Sequence, residues 1–175
     1  MQNTDLITPH FALLEFTENA TARKYGIAND ATPEVVDNLT RLCRCTMEPL
    51  REALGLPVVI TSGYRSKPLN DIVSHSSRNS QHLKGCACDF YVGWSASLGG
   101  RGPSGDACPS PRQRLIRAFR LILTSESIDF DQLILYPSFI HVSYVSSEVN
   151  RHCIMVAEGC GKYRRVSYEV ALTIE

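Results

Sequence analysis

A helical signal from Thr32 to Gly55 constrains this chain more than any other stretch. Thr32 can cap a helix, Pro33 fits its first position, and Glu34 complements the positive end of the helix dipole. Val35, Val36, Leu39, Leu42, Cys43, Met47, Leu50 and Leu54 then recur at helical spacing, and Gly55 supplies a stop. A helix this long with an apolar stripe must bury that stripe against another layer. Pro49 lies inside the run, where it removes a donor and clashes with the preceding turn, so the helix is expected to kink or divide there.

The other apolar runs are short and read mostly as strands. Pro57 to Ser62 is β-branched and has the signature of a buried strand, ended by Gly63-Tyr64-Arg65. Phe130 to Tyr136 and Phe139 to Val145, separated by Pro137-Ser138, form an expected hairpin. A second amphipathic helix starts at Ser110-Pro111 and carries Leu115, Ile116, Phe119, Ile122 and Leu123. A short helix over 18–24 ends at Gly26, and residues 66–81 read as a polar loop. Residues 94–110 read as a glycine-rich loop or flap. Toward the end, 152–157 and 164–172 flank Glu158 to Lys162 as an expected C-terminal hairpin. The fold class is α+β, with helices packed on a mostly antiparallel sheet. At 175 residues the chain has the length of one domain, with a core over about 10–157 and an extension over 158–175.

Apolar and charged fractions of 43% and 21% are those of an ordinary globule. A formal net charge of zero removes the general argument for nucleic-acid binding. No apolar run reaches the length of about 18 residues that a transmembrane helix needs. Met1-Gln2-Asn3-Thr4-Asp5 has neither a basic start nor an apolar core, so synthesis in a cytosol without a signal peptide is expected. The seven cysteines, an odd number, point to mostly reduced thiols.

The chemistry concentrates in Ser80-Gln81-His82-Leu83-Lys84-Gly85-Cys86-Ala87-Cys88-Asp89 and in Phe139-Ile140-His141-Val142-Ser143. Two imidazole nitrogens and one carboxylate oxygen can hold a zinc ion and leave a fourth position open. If 86–91 is a strand, its period of two puts Ala87, Asp89 and Tyr91 on one face and Cys86, Cys88 and Phe90 on the other. Asp89 then faces the site and the cysteines face the core. In the later hairpin His141 and Ser143 share a face, which one register turns toward the site. Cys43 and Cys45 fall two apart on a helix and do not make a chelating pair.

Ser80-x-His82-x-x-Gly85-x-x-x-Asp89, followed by His141-Val142-Ser143-Tyr144, resembles the D-Ala-D-Ala carboxypeptidase-type zinc peptidases of bacterial cell walls, which share a metal-site fold with hedgehog signalling domains. Thr61-Ser62-Gly63-Tyr64-Arg65-Ser66, Asn79-Ser80-Gln81-His82 and Phe130-Asp131-Gln132-Leu133-Ile134 extend the similarity over about 10–153. The resemblance implies His82, Asp89 and His141 as ligands of Zn2+, and hydrolysis of peptidoglycan stem peptides as a D,D-carboxypeptidase or L-Ala-D-Glu-type endopeptidase. It places Arg65 where a guanidinium stabilises an oxyanion or holds a substrate carboxylate. Ser80, Gln81 and Ser143 are expected to orient a ligand or bind substrate.

The pattern departs from the family at the general base. Where related peptidases carry a carboxylate shortly before the second histidine, this chain has Ser138 and Tyr136. Candidates for the role are Tyr136, Asp131, His75 and Asp106; in a regular strand Asp131 and Gln132 cannot both face the site. A zinc-binding domain that has lost catalysis and binds cell-wall peptides or a protein partner is the alternative. An active enzyme made without a signal needs release by lysis, and it is expected to act as a monomer.

Overall fold

In the computed structural model, the residues described are 5–74, 76–94, 109–159 and 161–175. His75, Asp106, Cys108, Cys160 and most of the glycine-rich 94–110 segment lie outside them. The chain opens with β1 (Leu6–Thr8), β2 (Phe11–Ala12), α1 (Leu13–Thr17) and α2 (Ala20–Tyr25), and then runs into α3 (Pro33–Leu42) and α4 (Glu48–Leu54). β3 (Val58–Ser62), α5 (Lys67–Ile72), β4 (Ala87–Val92) and α6 (Pro111–Thr124) follow. The last part holds β5 (Gln132–Leu135), β6 (Ile140–Ser143), β7 (Cys153–Gly159), β8 (Lys162–Arg165) and α7 (Tyr168–Leu172). One six-stranded sheet, ordered β3-β4-β6-β5-β7-β8, is antiparallel except where β5 pairs with β7.

The long helical signal divides as proline requires. Thr32 caps α3 through the Val35 N–H, and a π-helical turn over Cys43–Met47 precedes Pro49 in α4. Pro49 has no N–H to offer the Cys45 carbonyl, and that carbonyl instead accepts the Asp129 N–H at 3.0 Å. The Thr46 hydroxyl donates to the Asp129 carbonyl at 2.6 Å. The break in the helix thus anchors the segment that leads into β5.

One face of the sheet buries Cys88, Phe90, Leu133, Leu135, Ile140 and Val142 against Leu39, Leu42, Met47 and Leu50 and against Leu115 and Phe119 of α6. The opposite face carries Asp89, His141, Ile134 and Met155 in one cross-strand row, because the register pairs Asp89 with His141, His141 with Ile134 and Ile134 with Met155. Period-two alternation therefore separates core from site with one set of strands.

Four expectations change. The Pro57–Ser62 run forms β3, an edge strand that is only partly buried, because Val59 and Ile60 pair with β4 alone. Residues 66–81 are not all loop, since Ser66 and Pro68 start α5 and a 3-10 turn spans Gln81–Lys84. The C-terminal hairpin is formed by β7 and β8, and its second strand stops at Arg165 instead of running on to Leu172. Residues 168–172 are helical rather than extended, because the Ser167 hydroxyl accepts the Val170 N–H and Ala171 packs into the core.

Candidate metal centre and cleft

Three local structures deliver the ligand side chains. The Ser80 hydroxyl accepts the His82 N–H and starts the 3-10 turn, which ends at Gly85 with φ of +69°. A Cβ there would also lie 2.8 Å from the Val35 carbonyl oxygen, so the position suits glycine on two counts. The turn is zipped to the end of β3, where His82 Nδ1 meets the Gly63 carbonyl at 2.6 Å and the Arg65 N–H donates to the His82 carbonyl at 3.1 Å. Asp89 and His141 come from the paired strands β4 and β6.

A carbonyl oxygen only accepts, so Nδ1 of His82 carries the proton and Nε2 presents its lone pair. That nitrogen lies 3.2 Å from His141 Nδ1 and 3.4 Å from Asp89 Oδ1, and His141 Nδ1 lies 2.8 Å from Asp89 Oδ1. Donor atoms about 2.0–2.1 Å from a shared tetrahedral centre sit roughly 3.3 Å apart. The side chains therefore fit a zinc ion, with the outer nitrogen of His82 held by a backbone carbonyl. Burial pushes the Asp89 carboxyl upward, but His82 and His141 outweigh it and hold the group well below the usual carboxylate range. Burial likewise pushes the His82 imidazole down, which keeps it neutral and able to ligate. Among the described residues this is the one cluster of three such donors.

The Cys88 thiol lies 3.6 Å from the Met47 sulfur in the core, whereas the buried Cys86 precedes β4 and its thiol lies 3.8 Å from the Lys84 carbonyl. Burial pushes the Cys43, Cys86 and Cys88 thiols up, as expected of inert packing groups.

The ligands lie in the wall of a cleft of about 1000 Å³. Arg65 reaches this cleft with only 9% of its surface exposed, and its Nε is buried with no hydrogen-bond partner among the described residues. Burial pushes its pKa down while Asp89 and Tyr136 oppose that shift. Tyr136 stacks on Phe139 at 4.1 Å and meets the Tyr163 hydroxyl at 3.1 Å, making one aromatic wall. Burial and Tyr163 push the Tyr136 phenol up, so it remains a protonated donor.

Gln81 also lines the cleft, where it donates to Asp131 Oδ2 at 2.8 Å rather than touching Asp89. Ser143 does not reach the cleft as the sequence led us to expect. It is fully buried, accepts the Gln132 N–H and donates to Asp131 Oδ2. Asp131 and Gln132 both line the cleft, contrary to the regular-strand expectation, because β5 begins only at Gln132 and Asp131 sits on the bend before it.

Sequence reasoning missed two supports. The Asn29 side chain donates to the Thr17 and Tyr64 carbonyls and accepts the Ser66 N–H, clamping the segment that carries Arg65. Replacing Asn29 by alanine should cost about 2 kcal/mol in a denaturant titration, since partly buried backbone groups lose their partner. Arg151 holds Asp131 through its backbone N–H, Nε and Nη2. The sole sequence signal for either was a polar residue in a loop between strong elements.

Burial pushes the Asp131 carboxyl up, yet Arg151 and Gln81 prevail and bring it to about 2. A carboxylate depressed on folding stabilises the protein above its unfolded pKa of about 3.9, and that stability is lost as pH falls through about 2. With Arg151 more than half exposed, the contribution is about 1–2 kcal/mol. Urea titrations should show the stability gap between wild type and Asp131→Asn shrinking from pH 5 to pH 2. A constant gap would exclude the linkage.

An α+β sheet here presents a His-Asp-His donor set that could hold a metal ion beside a cleft arginine. Residues 9–97 match the model of the Peptidase M15 family, slightly more than half of the chain, and the chain belongs to that family. No curated protein matches it. Membership carries the metallopeptidase class and, for the family, zinc dependence and peptidoglycan as the substrate. No helix among the described residues is long and apolar enough to cross a membrane.

Proposed function

We propose that this protein is a zinc peptidase that hydrolyses peptide bonds in peptidoglycan stem peptides, as a D,D-carboxypeptidase or an L-Ala-D-Glu-type endopeptidase. The observation that carries the reading is the convergence of His82 Nε2, His141 Nδ1 and Asp89 Oδ1 at the wall of the cleft. Zinc, when bound there, supplies Lewis acidity toward a carbonyl and lowers the pKa of water to about 7.

The chain's own groups do the rest. His82 and His141 would each supply a nitrogen ligand and Asp89 a carboxylate oxygen. The Arg65 guanidinium supplies the positive charge that meets an oxyanion or a substrate carboxylate at the cleft. Tyr136, kept protonated and donating to the Tyr163 hydroxyl, presents its ring as the aromatic wall of the cleft. Ser80 and Gln81 bind the peptide along the cleft wall, while Ser143 and Asp131 position Gln81 from behind it.

A catalytically impaired peptide-binding domain is the second reading. It is favoured by one observation: among the described residues lining the cleft the carboxylates are Asp89 and Asp131, and both are engaged. Amine counting on purified sacculi separates the two. Each peptide bond cut exposes one new amine without a new sugar reducing end. Zinc-dependent growth of amines supports the peptidase, and an unchanged amine count with zinc bound supports the binding domain.

A further inference from the structure

The cleft holds a second guanidinium that the peptidase reading does not use. Arg151 lies in the loop between β6 and β7, with 57% of its side chain exposed, and it lines the cleft. Its Nε donates to Asp131 Oδ1 at 2.8 Å, and Nη2 bonds Asp131 Oδ2 and lies 3.4 Å from Gln81 Oε1. Nη1 donates to nothing among the described residues.

The surrounding loop is braced rather than loose. The Asn150 side chain accepts the Val145 N–H and donates to Asp129, and His152 also meets Asp129 at 2.9 Å. Asp129 is itself fixed by the Cys45 carbonyl and the Thr46 hydroxyl at the break in the long helix. Arg151 is therefore pre-oriented, so a ligand need not order it on binding. Asp131 bonds the Nε–Nη2 edge of the planar fork and Gln81 lies against Nη2, which leaves Nη1 for a second carboxylate.

We propose that Arg151 is a specificity-determining residue that binds a second free carboxylate of the substrate, away from the scissile bond, so that the site prefers an acidic stem peptide over its amidated form. This rests on the peptidase reading and deepens it. The charge balance agrees: Asp89 and Asp131 are both engaged, so no free carboxylate among the described cleft residues repels an incoming one. Arg65 is buried beside Asp89 and the metal ligands, whereas Arg151 is held by Asp131 and Gln81 and is more than half exposed.

The test uses the peptide N-acetyl-L-Ala-γ-D-Glu-L-Lys-D-Ala-D-Ala and its counterpart with the glutamyl α-carboxyl amidated. Both are offered to the zinc-loaded full chain, to Arg151→Gln and to Arg151→Lys. Affinities of the same pair are measured by calorimetry on the full chain carrying His141→Ala, with and without Arg151→Gln. The wild type should favour the acid by about tenfold in kcat/KM and in Kd, Arg151→Lys should keep part of that ratio, and Arg151→Gln should lose it. A wild-type ratio near one, or a ratio that survives Arg151→Gln, overturns the proposal. Because the ratio compares two ligands on one protein, a general loss of stability does not mimic the result. If neither peptide is cut, the peptidase reading fails while the affinity ratio still decides the role of Arg151.

Discussion

Replacing His82 by alanine lowers zinc affinity by about 10²–10³-fold and removes hydrolysis with it. Protein zinc sites are worth roughly 10–16 kcal/mol with four ligands, so one imidazole accounts for about 2.5–4 kcal/mol. His82 is the most demanding of the donors here, because it is almost wholly buried and its Nδ1 is already fixed by the Gly63 carbonyl. The cavity left behind cannot recruit a substitute, since no other His, Cys, Asp or Glu among the described residues joins the cluster. Competition titration with a chromophoric chelator measures the change. Wild-type affinity in His82→Ala would remove this residue from the metal centre.

Gly63→Ala should destabilise the fold by about 3 kcal/mol or more and weaken zinc binding although residue 63 is no ligand. A Cβ at this position would lie 2.5 Å from the Phe16 carbonyl oxygen and 2.6 Å from the Phe16 Cα. These are backbone atoms of α1, so neither can swing aside as a side chain would. Relief requires β3 and α1 to part, and that movement carries away the Gly63 carbonyl that sets the His82 tautomer and ring angle. Denaturant titration reads the first effect and chelator competition the second, expected at about 10–100-fold. Unchanged zinc affinity in a folded Gly63→Ala protein would show that this carbonyl does not orient the ligand.

The face that carries Asp89 and His141 was legible in the sequence because strand alternation is local. Asp89 opposite Cys88 and Phe90, and His141 opposite Ile140 and Val142, follow from the period of two once each strand is recognised. The helix break at Pro49 was equally local. What the break accomplishes was not, because the Cys45 carbonyl finds its partner in Asp129, far along the chain. Arg151 and Asn29 escaped for the same reason, since each acts through partners set by tertiary folding. At 166–172, alternating Val166, Tyr168, Val170 and Leu172 favoured a strand, yet Ser167 as a cap with Glu169 in the first turn was the better signal. Tyr168 and Val170 are exposed and Ala171 is buried, as a helix on the core requires. Asp131 escaped the alternation argument because it stands one residue outside β5.

Mass spectrometry of a defined muropeptide mixture, after incubation with the zinc-loaded protein and with a His141→Ala control, tests the central claim most directly. The account predicts a mass loss of one terminal alanine, or an internal cut between L-alanine and D-glutamate, in the wild-type sample and none in the control. Intact muropeptides in both samples, with zinc confirmed on the wild-type protein, would contradict it and leave a zinc-dependent binding domain in its place.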